Sequence, residues 1–187
     1  LLDEPFANVD AALRESLGQL LRRVAKEQGA SVLMVTHDQD AALSMANRVV
    51  VLEPSSKGGV IIQDATPITV YRSPVSETVA QLTGPCTFID AIATGETATS
   101  SLGVLSLQHP HQGPIEVMVR PEQLRFVLDD AGDVTVQGHQ FAAGHYRLHC
   151  NSPVGPIQIL LEGSASVPPE GAQGRIEITD AAWVFTK

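Results

Sequence analysis

The pattern of apolar residues changes character at Thr83-Gly84-Pro85, and this change divides the chain into two structurally different parts. Before that point, helical periodicities alternate with short apolar runs. After it, short β-type runs are separated by glycine, proline and polar turns. The first pattern is typical of an α/β unit with a parallel sheet, and the second of a small barrel or sandwich. We predict an α/β domain over residues 1–83 and an all-β domain over residues 84–187.

The first part contains two helical patterns, each followed by an apolar run. Apolar residues spaced three or four apart predict a helix that Asp10 caps at its start and Gly29 stops at its end. The run 32–35 predicts a buried parallel strand, 38–47 a second helix, and 49–52 another buried strand. A hairpin and two short helices are expected to complete this part.

In the second part, short β-type runs predict strands. They cover residues 88–93, 115–120, 124–128, 145–150, 157–161 and 175–178. Between them, the polar segment Gly95–Ser101 is expected to be an exposed loop. Near the end of the chain, Trp183 and Phe185 alternate and are expected to close the core of the barrel.

Composition excludes some functions. The formal net charge of −9 argues against broad nucleic-acid binding, which needs a positive surface. Cys86 and Cys150 are the two cysteines, which favours reduced thiols in a cytoplasmic protein. No run approaches the roughly 18 apolar residues of a membrane span, so any membrane role is expected to come through a partner. Because the sequence opens at Leu1, at the end of a strand, we expect it to be part of a longer protein.

Two adjacent acids follow the first apolar residues, in the segment Leu1-Leu2-Asp3-Glu4-Pro5. Ligands of α/β sheets gather at the carboxyl ends of strands, where an aspartate can hold Mg²⁺ directly or through water. A neighbouring glutamate can orient or deprotonate a water that attacks a γ-phosphate. Taken alone, Asp-Glu-Pro is equally consistent with an ordinary exposed turn.

A second polar group follows the next apolar run, at Val35-Thr36-His37-Asp38. If the two strands are adjacent and parallel, His37 lies at the same sheet edge as Glu4, where it can donate a hydrogen bond to a phosphate oxygen. Taken alone, His37 is more simply explained as a helix-capping or core-edge histidine than as a catalytic one. The order and spacing of both groups favour a phosphoryl-transfer site.

These motifs resemble those of ABC ATPases. The segment 1–4 is similar to the end of their Walker B motif, 7–10 to their D-loop and 35–38 to their H-loop. Residues 62–74 resemble the tail of importer subunits, and Arg120-Pro121-Glu122 resembles a recurrent tripeptide of TOBE domains. The resemblance implies part of a P-loop NTPase domain with a parallel sheet, followed by an OB-like TOBE barrel with a regulatory role.

The resemblance also implies roles for individual residues. Asp3 would bind Mg²⁺ beside ATP, Glu4 would be the general base, and His37 would contact the γ-phosphate. Asp10 would act at the nucleotide across an interface with a second ATPase subunit, in a homodimer. The remaining partners implied are transmembrane permease subunits and, indirectly, a periplasmic solute-binding protein, with no nucleic acid. The protein would lie peripherally on the cytoplasmic face of the inner membrane.

Two motifs of this family are missing from the sequence: the phosphate loop G-x-x-x-x-G-K-[ST] and Leu-Ser-Gly-Gly-Gln. The segment Ser16-Leu17-Gly18-Gln19 is superficially similar to the latter, but it follows the Walker B segment, so we interpret it as helix surface. Without the backbone amides and lysine of the phosphate loop, triphosphate binding loses its main anchor. The chain alone is therefore expected neither to bind nor to hydrolyse ATP.

The most favoured function is ATP-driven import of an ion or small polar nutrient, with the solute undetermined. One alternative is a non-transport ATPase of the same superfamily. The other is a regulatory or solute-binding module that acts through the β domain. Five histidines of that domain could bind a metal, although a solvated surface explains them more simply. They are His109, His111, His139, His145 and His149.

Overall fold

The computed structural model describes residues 1–7, 9–56 and 58–185. The chain divides into two compact units, Leu1–Gly84 and Pro85–Lys187. The elements described in the first unit are β1 (Leu2–Asp3), α1 (Ala11–Glu27), β2 (Met34–Val35), α2 (Gln39–Met45), β3 (Val49–Ser55), β4 (Gly58–Ala65), α3 (Pro67–Arg72) and α4 (Glu77–Leu82).

Strands β1 and β2 lie side by side and run parallel, with Leu2 opposite Met34 and Asp3 opposite Val35. This pairing is the one expected from the two apolar runs. The expectation that the second run is buried is wrong, because Leu33 is 63% exposed and Val35 49%. Among the described residues, β1 is the only strand paired with β2, so much of the apolar surface of β2 stays uncovered.

Helix α1 begins and ends where the sequence predicts. The Asp10 side chain accepts a hydrogen bond from the Leu13 N–H at 2.9 Å, and Gly29 adopts a left-handed φ of +61° after the last turn. The interpretation of residues 16–19 as helix surface is wrong for Gly18. It is buried, and an added Cβ would lie 2.8 Å from the Met45 side chain of α2. A residue without a side chain therefore allows this contact between the two helices.

The second half of the first unit has a small core of its own. Strands β3 and β4 form an antiparallel hairpin, separate from the β1–β2 pair. Val51 of the hairpin packs with Val70 of α3 and Val79 of α4, and both helix residues are fully buried. The described residues of the first unit therefore form two separate two-stranded sheets, rather than the continuous parallel sheet implied by the resemblance.

The second unit is built almost entirely of antiparallel strands. Its described elements are β5 (Thr87–Ser100), β6 (Gly103–Val119), a 3₁₀ turn (Pro121–Gln123), β7 (Leu124–Leu128), β8 (Val134–Ala142), β9 (His145–Ser152), β10 (Gly155–Glu162), β11 (Gln173–Ile178) and β12 (Trp183–Phe185). Five strands pair in the order β10-β9-β8-β11-β7, and three in the order β12-β6-β5.

Both sheets contribute to one hydrophobic core. Ile89 and Val117 come from the smaller sheet, and Leu148 and Ile159 from the larger one. All four are at most 1% exposed. The strand β9 alternates as its sequence predicts, with Leu148 and Cys150 facing the core and the intervening His149 exposed. The unit is thus all-β, while its closure into an OB-like barrel stays a prediction.

The predicted loop at Gly95–Ser101 is wrong. Strand β5 continues through Ser100, pairs with β6 as far as Gly103, and buries Ala98 in the core. The segment alternates small and polar residues and lacks large apolar side chains, so its sequence alone does not identify it as a strand. Strand β12 forms where the alternating aromatic residues occur. Its Phe185 ring lies 5.9 Å from that of Phe88, but neither aromatic residue of β12 is fully buried.

Candidate functional site

The side chains of Glu4 and His37 meet just beyond the carboxyl ends of β1 and β2. Glu4 Oε1 lies 2.6 Å from His37 Nδ1 and accepts a second hydrogen bond from the His37 backbone N–H at 2.8 Å. The Glu4 N–H in turn donates to the Val35 carbonyl at 2.9 Å, which extends the parallel pairing by one residue. Two residues separated by 33 positions are therefore brought together by the strand pairing.

The other oxygen of Glu4 is held by Thr36, whose hydroxyl donates to Oε2 at 2.8 Å. This hydrogen bond is the main reason why the pKa of Glu4 lies below its ordinary value, and the contacts from His37 lower it further. Partial desolvation acts in the opposite direction without reversing the effect. The arrangement therefore favours the ionised carboxylate, with hydrogen bonds on both of its oxygens.

The backbone at Glu4 is itself unusual. Its φ of +44° lies in the left-handed region, which residues with a side chain rarely adopt. The Ala7 N–H donates to the Glu4 carbonyl at 3.1 Å, so the chain turns sharply immediately after β1. Residues held in such conformations cluster at functional sites, where the surrounding contacts compensate for the strain. At Glu4, those contacts are the hydrogen bonds from Thr36 and His37.

The ring of His37 is exposed and, among the described residues, is bound only through Nδ1. Its side chain is 87% exposed, compared with 33% for Glu4. Because an ionised carboxylate only accepts hydrogen bonds, Nδ1 must carry the proton in this contact. In the neutral ring, Nε2 would then be an acceptor. Only the imidazolium can donate from Nδ1 to Glu4 and from Nε2 to a further oxygen at the same time.

Asp3 is exposed beside Glu4, one residue earlier on β1 and opposite Val35. A carboxylate at this position fits a hard cation such as Mg²⁺, which prefers oxygen ligands and retained water. Among the described residues, no group of three or more histidine, cysteine, aspartate or glutamate side chains is clustered closely enough to hold a metal ion. Asp3 would thus supply one ligand rather than a complete protein cage.

Asp10 lies apart from this pair, at the start of α1. It is exposed, and one carboxylate oxygen is used as the helix cap. The neighbouring Asn8, which belongs to the segment that resembles a D-loop, lies outside the described residues. The structure thus brings Asp3, Glu4 and His37 to one edge and leaves Asp10 at the entrance to the adjacent helix.

Sequence reasoning assigned no role to Thr36, Arg14 or Asp38, although all three support this edge. Thr36 binds Glu4, while Asp38 caps α2 by accepting from the Ala41 N–H at 2.9 Å. Arg14 of α1 forms an ion pair with Asp38. The threonine and the aspartate on either side of His37 could have been recognised from the sequence as polar neighbours of the site. No local sequence pattern indicates that residues 14 and 38 form an ion pair.

The second unit contains an open cavity of about 580 Å³. Both cysteines, His149 and three amide side chains contribute to its wall, and no lysine, arginine or carboxylate does so. The amides are those of Gln137, Asn151 and Gln158. Neither cysteine forms a disulfide in the described chain, and burial raises the pKa of Cys150 to about 11. These polar groups share the wall with apolar ones, among them Ile157 and Pro156.

Arg120, the first residue of the tripeptide that resembles a TOBE motif, is buried within the same unit. Its Nη1 donates to the Pro85 carbonyl at 3.2 Å, and its backbone N–H donates to the Gln123 side chain at 2.8 Å. Through these hydrogen bonds Arg120 connects the start of the unit to its 3₁₀ turn.

None of the helices described is long and apolar enough to cross a membrane.

No protein-family model matches the chain. Curated relatives do match it. The chain is 38% identical over 153 residues to the "Fe(3+) ions import ATP-binding protein FbpC" of Streptomyces avermitilis, a match that covers 80% of this chain and 43% of that protein. It is 34% identical over 184 residues to the protein of the same name from Streptomyces coelicolor, covering 97% of this chain and 51% of the relative.

A relative named for a different solute is also similar. The "Sulfate/thiosulfate import ATP-binding protein CysA 2" of Chromobacterium violaceum is 39% identical over 127 residues, which cover 66% of this chain and 34% of that protein. The chain thus spans about half the length, or less, of the curated relatives it matches. Its homologues are ATP-binding subunits of ABC importers, which confirms the resemblance to that family.

Proposed function

We propose that this chain, a homologue of the ATP-binding subunits of ABC importers, is the C-terminal part of a subunit that hydrolyses ATP to drive import. The observation that carries the proposal is the contact between Glu4 and His37, 2.6 Å apart at the carboxyl edge of two parallel strands. Active sites of α/β sheets occupy this edge. An acid and an imidazole there suit phosphoryl transfer, in which positioning and electrostatics do most of the work.

Glu4 would act on the attacking water. Its carboxylate is ionised at neutral pH, and hydrogen bonds from Thr36 and His37 stabilise that form by holding its pKa below the ordinary value. An ionised carboxylate accepts a hydrogen bond from water and can take up its proton as the attack proceeds. Glu4 would therefore orient the water toward the phosphorus and act as its general base.

His37 would contact the terminal phosphate through Nε2, because Nδ1 is already bound to Glu4. Donation from both nitrogens requires the imidazolium, which adds a positive charge where negative charge increases during the reaction. Asp3 would hold Mg²⁺, and the ion, when bound, would neutralise charge on the phosphates. These roles assign the base to Glu4, the phosphate contact to His37 and the metal ligand to Asp3.

The chain by itself is not proposed to bind ATP. The phosphate loop and the Leu-Ser-Gly-Gly-Gln motif are missing from its sequence, and both would come from the rest of a longer protein. A second copy of that protein is the proposed partner, with Asp10 acting across the interface. In the chain, Asp10 is exposed at the start of α1, which is compatible with contact to another subunit.

The remaining assignments extend the resemblance to ABC importer subunits. Transmembrane permease subunits would couple ATP hydrolysis to transport, and a periplasmic solute-binding protein would deliver the solute. The names of the relatives refer to Fe(3+) ions and to sulfate or thiosulfate, so an ion or small polar nutrient is the proposed cargo. The subunit would lie peripherally on the cytoplasmic face of the inner membrane. The second unit would be its TOBE-type regulatory domain.

The decisive test is Glu4→Gln in the longer protein that contains this chain. Turnover should fall by about 10²–10⁴-fold, the usual contribution of a positioned base, while ATP binding is retained. Glu27→Gln is the matched control, since Glu27 is an exposed residue in the last turn of α1. Steady-state phosphate release and equilibrium binding of ATP measure the two effects. Normal turnover in Glu4→Gln would remove Glu4 from this role.

A further inference from the structure

Thr36 connects Glu4 to a larger network. Its hydroxyl donates to Glu4 Oε2 at 2.8 Å and accepts from the Asp38 N–H at 3.0 Å. The direction of both hydrogen bonds is fixed, because an ionised carboxylate only accepts and a backbone N–H only donates. The Thr36 hydroxyl therefore accepts a hydrogen bond from the backbone at the start of α2 and donates one to the Glu4 carboxylate.

Asp38 connects this hydroxyl to helix α1. One of its carboxylate oxygens accepts from the Ala41 N–H, and the other is paired with the Arg14 guanidinium. The side chains of Arg14 and Asp38 are 27% and 25% exposed, so the pair is partly shielded from water. Shielding strengthens such a pair relative to one on the open surface. Asp38 thus has a fixed position between the two helices.

Arg14 extends the network to the segment that enters α1. Its Nη2 donates to the Val9 carbonyl at 3.1 Å, one residue before the cap Asp10. One continuous path of hydrogen bonds therefore leads from the Val9 carbonyl through Arg14, Asp38 and Thr36 to Glu4. The path joins the segment proposed to face a second subunit with the carboxylate proposed to orient water.

We propose that Arg14, Asp38 and Thr36 are positioning residues that hold Glu4 in place and tie it to the segment that enters α1. The inference rests on the proposed ATP hydrolysis, which it deepens by naming groups that act through Glu4. A displacement of the Val9–Asp10 segment would be transmitted to the carboxylate through three side chains. A purely structural role, in contrast, would confine the effect of these residues to the stability of α1 and α2.

The first test compares Thr36→Val with Thr36→Ser in the ATP-hydrolysing protein. Valine keeps the shape of threonine and removes the hydroxyl, so kcat should fall about tenfold with KM for ATP unchanged. Serine keeps the hydroxyl and should restore most of kcat. If Glu4→Gln abolishes turnover while Thr36→Val does not change it, the positioning role is refuted and the proposed function stands. If Glu4→Gln itself retains turnover, the proposed function fails.

The second test is a double-mutant cycle on kcat with Arg14→Gln and Asp38→Asn. Asparagine keeps an oxygen for the cap of α2 and removes the charge that Arg14 binds. If the two residues act through one path, the double variant should lose no more activity than either single variant. Arg22→Gln is the control, because Arg22 lies on the same helix and donates to the Met45 carbonyl at 3.0 Å, outside the path. Additive losses would overturn the proposal.

A readout without ATP is available in the 187-residue chain itself. In Thr36→Val, the Asp38 amide loses its acceptor and should exchange with solvent faster, measured by NMR hydrogen exchange. The Ala41 amide, which is bound to the carboxylate of Asp38, should be unaffected. Unchanged exchange at Asp38 would show that the hydroxyl is not its acceptor and would overturn the proposal.

Discussion

Replacement of Leu148 by alanine should destabilise the second unit strongly. Leu148 lies on β9, is fully buried, and packs in the core to which both antiparallel sheets contribute. Removing a buried leucine side chain costs about 3 kcal/mol, since transfer energy is lost and a cavity remains. A unit of about 100 residues loses roughly 4–8 °C of Tm per kcal/mol. The expected decrease in Tm is therefore roughly 12–24 °C.

Thermal unfolding followed by circular dichroism measures this effect, and urea unfolding gives the free energy. Leu128→Ala is the matched control, because it removes the same atoms from a side chain on β7 that is 66% exposed. Surface substitutions usually change the free energy of unfolding by no more than about 0.5 kcal/mol. Equal losses in the two variants, or a loss below about 1 kcal/mol in Leu148→Ala, would refute the description of one shared core.

Two further predictions concern titratable groups. Hydrogen bonds lower the pKa of Glu4 in the folded chain, so the stability that its carboxylate contributes is present above the unfolded pKa and is lost as pH falls through the lower folded value. Carbon-detected NMR titration of the carboxyl group should give a midpoint below 4.5. A midpoint above that value would contradict the contact with Thr36. Burial raises the pKa of Cys150 to about 11, so this thiol should react with iodoacetamide at pH 8 far more slowly than the half-buried Cys86. Mass spectrometry of the single variants Cys86→Ser and Cys150→Ala tests this order, and faster labelling at Cys150 would be inconsistent with its burial.

The elements that depend on local sequence could be predicted. Asp10 and Gly29 delimit α1 because capping and left-handed turns are properties of single residues. The alternation of β9 follows from a period of two. The meeting of Glu4 and His37 could be inferred as well, since parallel strands place their carboxyl ends at one edge. In each case a short segment contains the full signal.

Features that depend on neighbours could not be predicted. The exposure of Leu33 follows from how few strands pair with β2 among the described residues, which a single apolar run does not reveal. The extension of β5 through Ala98 depends on its partner β6 rather than on its own small residues. The pairing of Arg14 with Asp38 joins two helices across 24 positions, and neither residue has a local pattern that identifies the other.

The register of β1 against β2 determines the whole candidate site. With Asp3 opposite Val35, the next residues along each chain are Glu4 and Thr36, followed by His37, and these three side chains share the hydrogen bonds at this edge. A slip of one residue would turn each side chain to the opposite face of the pair and separate the carboxylate from both donors. Because only two residues of each strand pair, the hydrogen bonds of Glu4 themselves help to fix that register. The contacts that prepare Glu4 for chemistry are therefore also part of what holds the two strand ends together.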